Sequence, residues 1–78
     1  MCVIIYKPKG VNLPTKEILT DCFMDNPHGI GYCVRTNDNK LIMDKGLWDI
    51  EDFFDIVKPV RKYLRNIEMA IHFRYASV

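Results

Sequence analysis

A chain of 78 residues makes one small domain that buries only about 60% of the surface its unfolded form exposes, so its stability is slight. Hydrophobic residues at 49% and charged residues at 27% exclude a disordered chain, and a net charge of +1 excludes the broad positive field of a non-specific nucleic-acid binder. The three cysteines Cys2, Cys22 and Cys33 cannot all pair within one chain, and the opening apolar run, Met1 to Tyr6, is too short for a signal peptide or a membrane span. The expected compartment is therefore the reducing cytoplasm, with no membrane partner. No CxxC pair or His/Cys cluster at ligand spacing occurs, so neither a metal nor a cofactor is expected.

The chain opens Met1-Cys2-Val3-Ile4-Ile5. Aminopeptidases remove an initiator methionine when the next side chain is small, so the mature chain is expected to begin at Cys2, with a thiol and a free α-amine on one residue. The amine titrates at about 8 and the thiol at about 8.5, so at neutral pH part of the amine is free to take the thiol proton. A small residue opening an apolar strand suits the same position, and position alone leaves both roles open. Cys2 to Tyr6 is expected to form that strand, ended by the proline and glycine of Lys7-Pro8-Lys9-Gly10.

Thr15 is placed to cap a helix in which Ile18, Leu19, Cys22 and Phe23 recur at helical spacing, and Asn26-Pro27 stops it. The run Asn26-Pro27-His28-Gly29-Ile30-Gly31 then brings two glycines to the start of a strand. Glycine tolerates positive φ and close backbone approach, so this turn either presents peptide N–H groups to a ligand or is a bare strand start. No GxGxxG run follows and no helix comes next, which excludes a nucleotide loop. Ile30, Tyr32 and Val34 alternate with Gly31, Cys33 and Arg35 as in a half-buried strand, and a turn-rich loop, 36–40, leads to a second arm at Leu41-Ile42-Met43.

Trp48 is expected to be a packing anchor before a helix opened by Asp49, with Phe53, Val57, Val60 and Leu64 on one stripe. Pro59 should break that helix near Lys58. Lys58, Arg61, Lys62 and Arg65 line its outer side near the C-terminal end, either as a solvated face or as a phosphate or protein contact. The last strand is expected over Met69 to Ala76, with Ala70, His72, Arg74 and Ala76 on one face. Strand rise puts His72 and Arg74 ~7 Å apart. Arg74 on an inward face would need an acid or a ligand to meet its guanidinium, since a buried charge without a partner is costly. His72 is either a satisfied packing residue or part of a site. Ser77 adds a hydrogen bond there only if the strand ends before it. An unfinished edge at His72 to Ser77 would invite pairing with another chain.

The fold class is α+β, in the order strand, helix, strand, strand, helix, strand. That order permits a ferredoxin-like fold closed on itself, or the first half of a larger layered sandwich. It does not choose between them.

Three separated segments, Met1-Cys2-Val3-Ile4-Ile5, Asn26-Pro27-His28-Gly29-Ile30-Gly31 and His72-Phe73-Arg74-Tyr75-Ala76-Ser77, together resemble class II glutamine amidotransferases of the N-terminal nucleophile hydrolase superfamily. That family typically opens Met-Cys-Gly-Ile, carries a glycine turn of the form Asn-x-Asp-Gly-x-Gly, and has His-x-Arg-x-Ala-Thr on a central strand. Small stand-alone members from bacteria and their phages are similar also at Lys45-Gly46 and at the acidic helix start Glu51-Asp52-Phe53. The resemblance implies that Cys2 attacks the side-chain amide of glutamine with its own α-amine as base, forming a thioester that water resolves after ammonia leaves. It implies that Arg74 clamps the α-carboxylate of the glutamine and Ser77 stands where a threonine assists. His72 would shape the site, with Asn26, Gly29 and Gly31 as its glycine turn.

Val3 replaces the family's glycine behind the nucleophile, and His28 replaces the acid of the glycine turn. The family draws its oxyanion hole from an Asn-Gly segment downstream of the His-x-Arg strand, together with an acid for the substrate's α-amine, whereas this sequence ends at Val78. Losing one oxyanion donor slows such a reaction about 100- to 1000-fold. Residues 1–78 are thus expected to form a single truncated domain, the N-terminal half of a nucleophile hydrolase sandwich. Its glutaminase activity is expected to be impaired or absent unless self-association or a complementing protein chain completes it. The alternative is a small non-catalytic protein-binding module, such as a phage accessory factor.

Overall fold

A computed structural model describes residues 2–76. It contains β1 (Val3–Lys7), α1 (Lys16–Asp25), β2 (Ile30–Arg35), β3 (Leu41–Leu47), α2 (Ile50–Val57), α3 (Arg61–Leu64) and β4 (Glu68–Phe73), with a 3₁₀ turn over Lys58–Val60 between the last two helices. The chain is α+β in the expected order.

Local chemistry sets the helix ends. The Thr15 hydroxyl accepts the Ile18 N–H at 3.3 Å, satisfying one orphan donor of the first turn. At the other end of α1 the Asn26 N–H reaches the carbonyls of Cys22 and Phe23, and its side-chain amide donates to Cys22 O at 3.2 Å. Asp49 caps α2 by accepting the Glu51 N–H at 3.1 Å. The break falls where Pro59 placed it, because α2 ends at Val57 and the chain turns through Lys58–Val60 before α3. Phe53, Val57 and Leu64 stay buried on the core stripe, whereas Val60 is 39% exposed. Each residue of the tighter 3₁₀ turn rotates further than in an α-helix, which swings Val60 off the stripe.

The four strands form one antiparallel sheet in the order β1-β4-β2-β3. A ferredoxin-like closure would hold β1 inside the sheet, and the chain does not adopt it: β1 lies at one edge and β3 at the other. The expected free edge at His72 is likewise absent. His72 is opposite Ile4 on one side and Gly31 on the other, so β4 is a central strand with both ladders filled. Its burial explains why: Met69, Ile71 and Phe73 are at most 2% exposed, and a strand whose apolar side is this deeply covered is favoured in the middle of the sheet.

The sheet has two unlike faces. Met69, Ile71, Phe73, Ile30 and Val34 turn toward Leu19, Phe53, Val57 and Leu64 of the helices and form the core. Alternation sends Ile4, Tyr6, Cys33, Met43, Ala70 and His72 to the other face, where Ile4 is 70% and Met43 73% exposed. Among the described residues no helix covers that face, and none is long and apolar enough to cross a membrane.

At one end of the open face the Tyr6 hydroxyl donates to Glu68 Oε2 at 2.5 Å, and Arg35 Nε donates to Glu68 Oε1 at 3.1 Å. Tyr6 and then Arg35 hold the Glu68 carboxyl below its usual range, while the bond to Glu68 raises the Tyr6 phenol. The unfolded chain binds protons more readily at Glu68, so its contribution is present above the ordinary carboxylate value and is lost as pH falls through the lowered one. For Tyr6 the contribution is present below the ordinary phenol value and is lost as pH rises through the raised one. Glu68→Gln is expected to move the Tyr6 titration downward, read as the absorbance difference from Tyr6→Phe. An unmoved titration would contradict the bond.

Candidate active site

The end of the sheet opposite Glu68 brings the segments flagged in the sequence together. Val3 opposite Phe73 is the last pair of the β1–β4 ladder, and Cys2 and Arg74 are the next residues beyond it on the two strands. Both are exposed. The Cys2 sulfur lies 4.0 Å from the Tyr75 carbonyl oxygen. Opposed residues of neighbouring antiparallel strands have Cα atoms only about 5 Å apart. Residues more than 70 positions apart thus become neighbours.

Arg74 does not point into the core. Phe73 and Ile71 take the buried positions of β4, which leaves His72 and Arg74 to the open face and answers the question of what compensates a buried guanidinium: none is buried. The glycine turn is bound to the same strand end by two backbone bonds at 2.9 Å, His28 N–H to Arg74 O and Arg74 N–H to Gly29 O. The ring of His28 is fixed against the same strand end, where its Nδ1 accepts the Ala76 N–H at 2.9 Å and it packs on Tyr75. Asn26 borders a separate hollow with Val3, Asp25 and Tyr75. It is 5% exposed and acts as the C-cap of α1, so it supports the turn without lining the site. Ser77 lies outside the described residues.

Beside Arg74, a cleft of about 310 Å³ opens between His28, Lys45, Trp48, His72 and Arg74, floored by Gly29 and Gly31. Its shape comes from a β-bulge. Ile30 is opposite Leu47 but Tyr32 is opposite Asp44, so Lys45 and Gly46 together face Gly31. Gly46 has φ +82°, which a side chain would resist. Trp48, expected as a packing anchor, is 69% exposed instead, with its ring edge 3.6 Å from where a Cβ on Gly29 would stand. In the sequence, Lys45-Gly46 enters only through the resemblance and Trp48 only as a packing anchor; β3 runs on past the expected arm at 41–43 to Leu47 and carries the bulge.

Gly29 also has φ +140°. Gly29→Ala is expected to destabilise the fold by about 1–3 kcal/mol through backbone strain, measured as a lower urea midpoint. An unchanged midpoint would show that the turn relaxes without cost.

The basic residues Lys58, Arg61, Lys62 and Arg65 lie elsewhere, along a groove on the helical side shared with Asn12 and Thr15. Arg65 is engaged there, its guanidinium donating to Gly10 O at 2.7 Å. Cys22 and Cys33 are half-buried. No group of three His, Cys, Asp or Glu side chains placed to hold a metal occurs among the described residues. No family model, curated protein or solved structure matches this chain.

Proposed function

We propose that this chain carries the nucleophile and the carboxylate clamp of a class II glutamine amidotransferase, and that its own glutaminase activity is weak or absent. The observation that carries this is that the Cys2 sulfur lies 4.0 Å from the carbonyl oxygen of Tyr75, the residue after Arg74, with Cys2 and Arg74 both exposed at that end of the sheet. In the chemistry proposed, the α-amine of a mature N-terminal Cys2 takes the thiol proton and sulfur attacks the γ-carbonyl of glutamine. The amide nitrogen takes the proton and leaves as ammonia, and water then cleaves the thioester to give glutamate. Arg74 holds the α-carboxylate through a planar fork of donors. A free thiol nucleophile suits a reducing cytoplasm.

The expected weakness has a structural basis. The developing oxyanion would need donors that approach Cys2 from above the open face, and among the described residues nothing covers that face. Absence of one such donor costs about 100- to 1000-fold in rate. A second protein layer, from another chain or another copy, would restore it. Exposed Ile4 and Tyr6 on β1, with Leu41 and Met43 on β3 at the other edge of the same face, equally favour a second reading, a non-catalytic module that binds a protein through this face.

The amine-as-base mechanism is tested by the intact mass of the mature protein. The expected mass lacks Met1. Retention of Met1 would exclude the mechanism and favour the binding module.

A further inference from the structure

We propose that the cleft between Lys45, Trp48 and Arg74 is a binding site for an organic carboxylate that carries a flat apolar group. The carboxylate would lie between the Lys45 ammonium and the Arg74 guanidinium, with the flat group against the Trp48 indole. The residues lining the cleft include no aspartate or glutamate side chain, while Lys45, Arg74, His28 and His72 all line it. A concave site with cationic and hydrogen-bonding groups and no acid favours an anion. The two ion pairs found among the described residues, Arg35–Glu68 and Lys40–Asp38, engage neither Lys45 nor Arg74.

The wall is the second feature. Tryptophan is normally well buried, yet Trp48 is 69% exposed, with its ring edge over Gly29. An indole held in this way presents a flat apolar surface on which another planar group stacks. The bulge at Lys45 and Gly46 brings Lys45 into the lining of the same cleft as Trp48.

Position separates this site from the attack on an amide. Cys2 does not line the cleft, and in the sheet order β1-β4-β2-β3 the β1 edge is three strand spacings, ~14 Å, from β3. The site shares Arg74 with the proposed glutamine clamp and adds Lys45 and Trp48, which the glutamine chemistry does not use.

Trp48 is the single tryptophan of the chain, so its fluorescence reports occupancy directly. Benzoate is expected to cause a saturable change with a dissociation constant on the order of 1 mM or below. Acetate and cyclohexanecarboxylate should bind at least about tenfold more weakly, lacking the flat group. Lys45→Ala should weaken benzoate at least about tenfold, while Lys62→Ala on the helical side leaves it unchanged. Equal binding of benzoate and cyclohexanecarboxylate would overturn the stacking wall, and an equal response of the two lysine variants would overturn the site. Tighter binding of phenyl phosphate than of benzoate would overturn the carboxylate assignment in favour of a phosphate. Cys2→Ala should bind benzoate like the parent chain. If Cys2 proves inert and benzoate still binds, the glutamine chemistry falls alone; if Cys2 reacts and benzoate does not bind, this site falls alone.

Discussion

Replacing Lys7 with methionine is expected to lower the stability of the fold by about 2–4 kcal/mol, which for a chain of this size is a large share of the total. Lys7 is 2% exposed. Its ammonium donates to the carbonyls of Ile67 at 2.6 Å, Val11 at 2.9 Å and Pro8 at 3.2 Å, tying the end of β1 to the loop behind it and to the approach to β4. Methionine matches the length of the stem but donates nothing. The carbonyls of Val11 and Ile67 would then lose their charge-assisted partner in a buried setting, whereas Pro8 O also accepts the Val11 N–H.

Burial, and after it the Arg65 charge, pushes the Lys7 ammonium below its ordinary value. Between the lowered and the ordinary value the unfolded chain holds more protons, so this group's contribution becomes more favourable as pH rises through that window. Urea unfolding of Lys7→Met at neutral pH checks the expectation. A variant as stable as the parent, or more so, would mean that desolvation of the ammonium outweighs its three hydrogen bonds.

The second large effect falls on Arg74. Diazo-oxo-norleucine resembles glutamine in its α-carboxylate and presents an electrophile where the amide would be, so under the proposed function its reaction with Cys2 depends on Arg74. Arg74→Ala is expected to slow that reaction at least about tenfold, the loss of one charge-assisted contact. Alkylation by iodoacetamide, which has no α-carboxylate to clamp, should keep its rate. Arg74 is exposed, so its removal leaves the core untouched. A parallel fall in both rates would assign Arg74 a general effect on the thiol, and no change in either would remove it from the site.

Much of the local structure was legible because its causes are local. Thr15, Asn26 and Asp49 carry the side chains that caps require, and Pro59 cannot continue a helix. The alternation in β4 correctly sorted His72 and Arg74 from Ile71 and Phe73. It did not say which set was covered, because period two defines two faces without naming the inner one. Arg74 was therefore placed inward, when the apolar set Met69, Ile71 and Phe73 took the core. The sheet order rests on long-range pairing of β4 with both β1 and β2, for which no short motif exists. Trp48, expected as a packing anchor, is exposed, and Lys7, named only where the first strand ends, is buried. Tryptophan is usually buried and lysine usually exposed, and here three carbonyls draw the lysine in. Within the candidate site, Cys2, His72, Arg74, Gly29 and Gly31 were named from the sequence and share one end of the open face. Lys45 joins them only through the bulge, which depends on how β3 pairs.

The central claim is that Cys2 is a nucleophile set beside a carboxylate clamp. Peptide mapping of the protein after treatment with diazo-oxo-norleucine tests it most directly, since Cys22 and Cys33 are internal references in the same chain. The account predicts modification of Cys2 well ahead of both, with a greater preference than iodoacetamide shows. Equal modification of the three cysteines, or none while the fold remains intact, would contradict it.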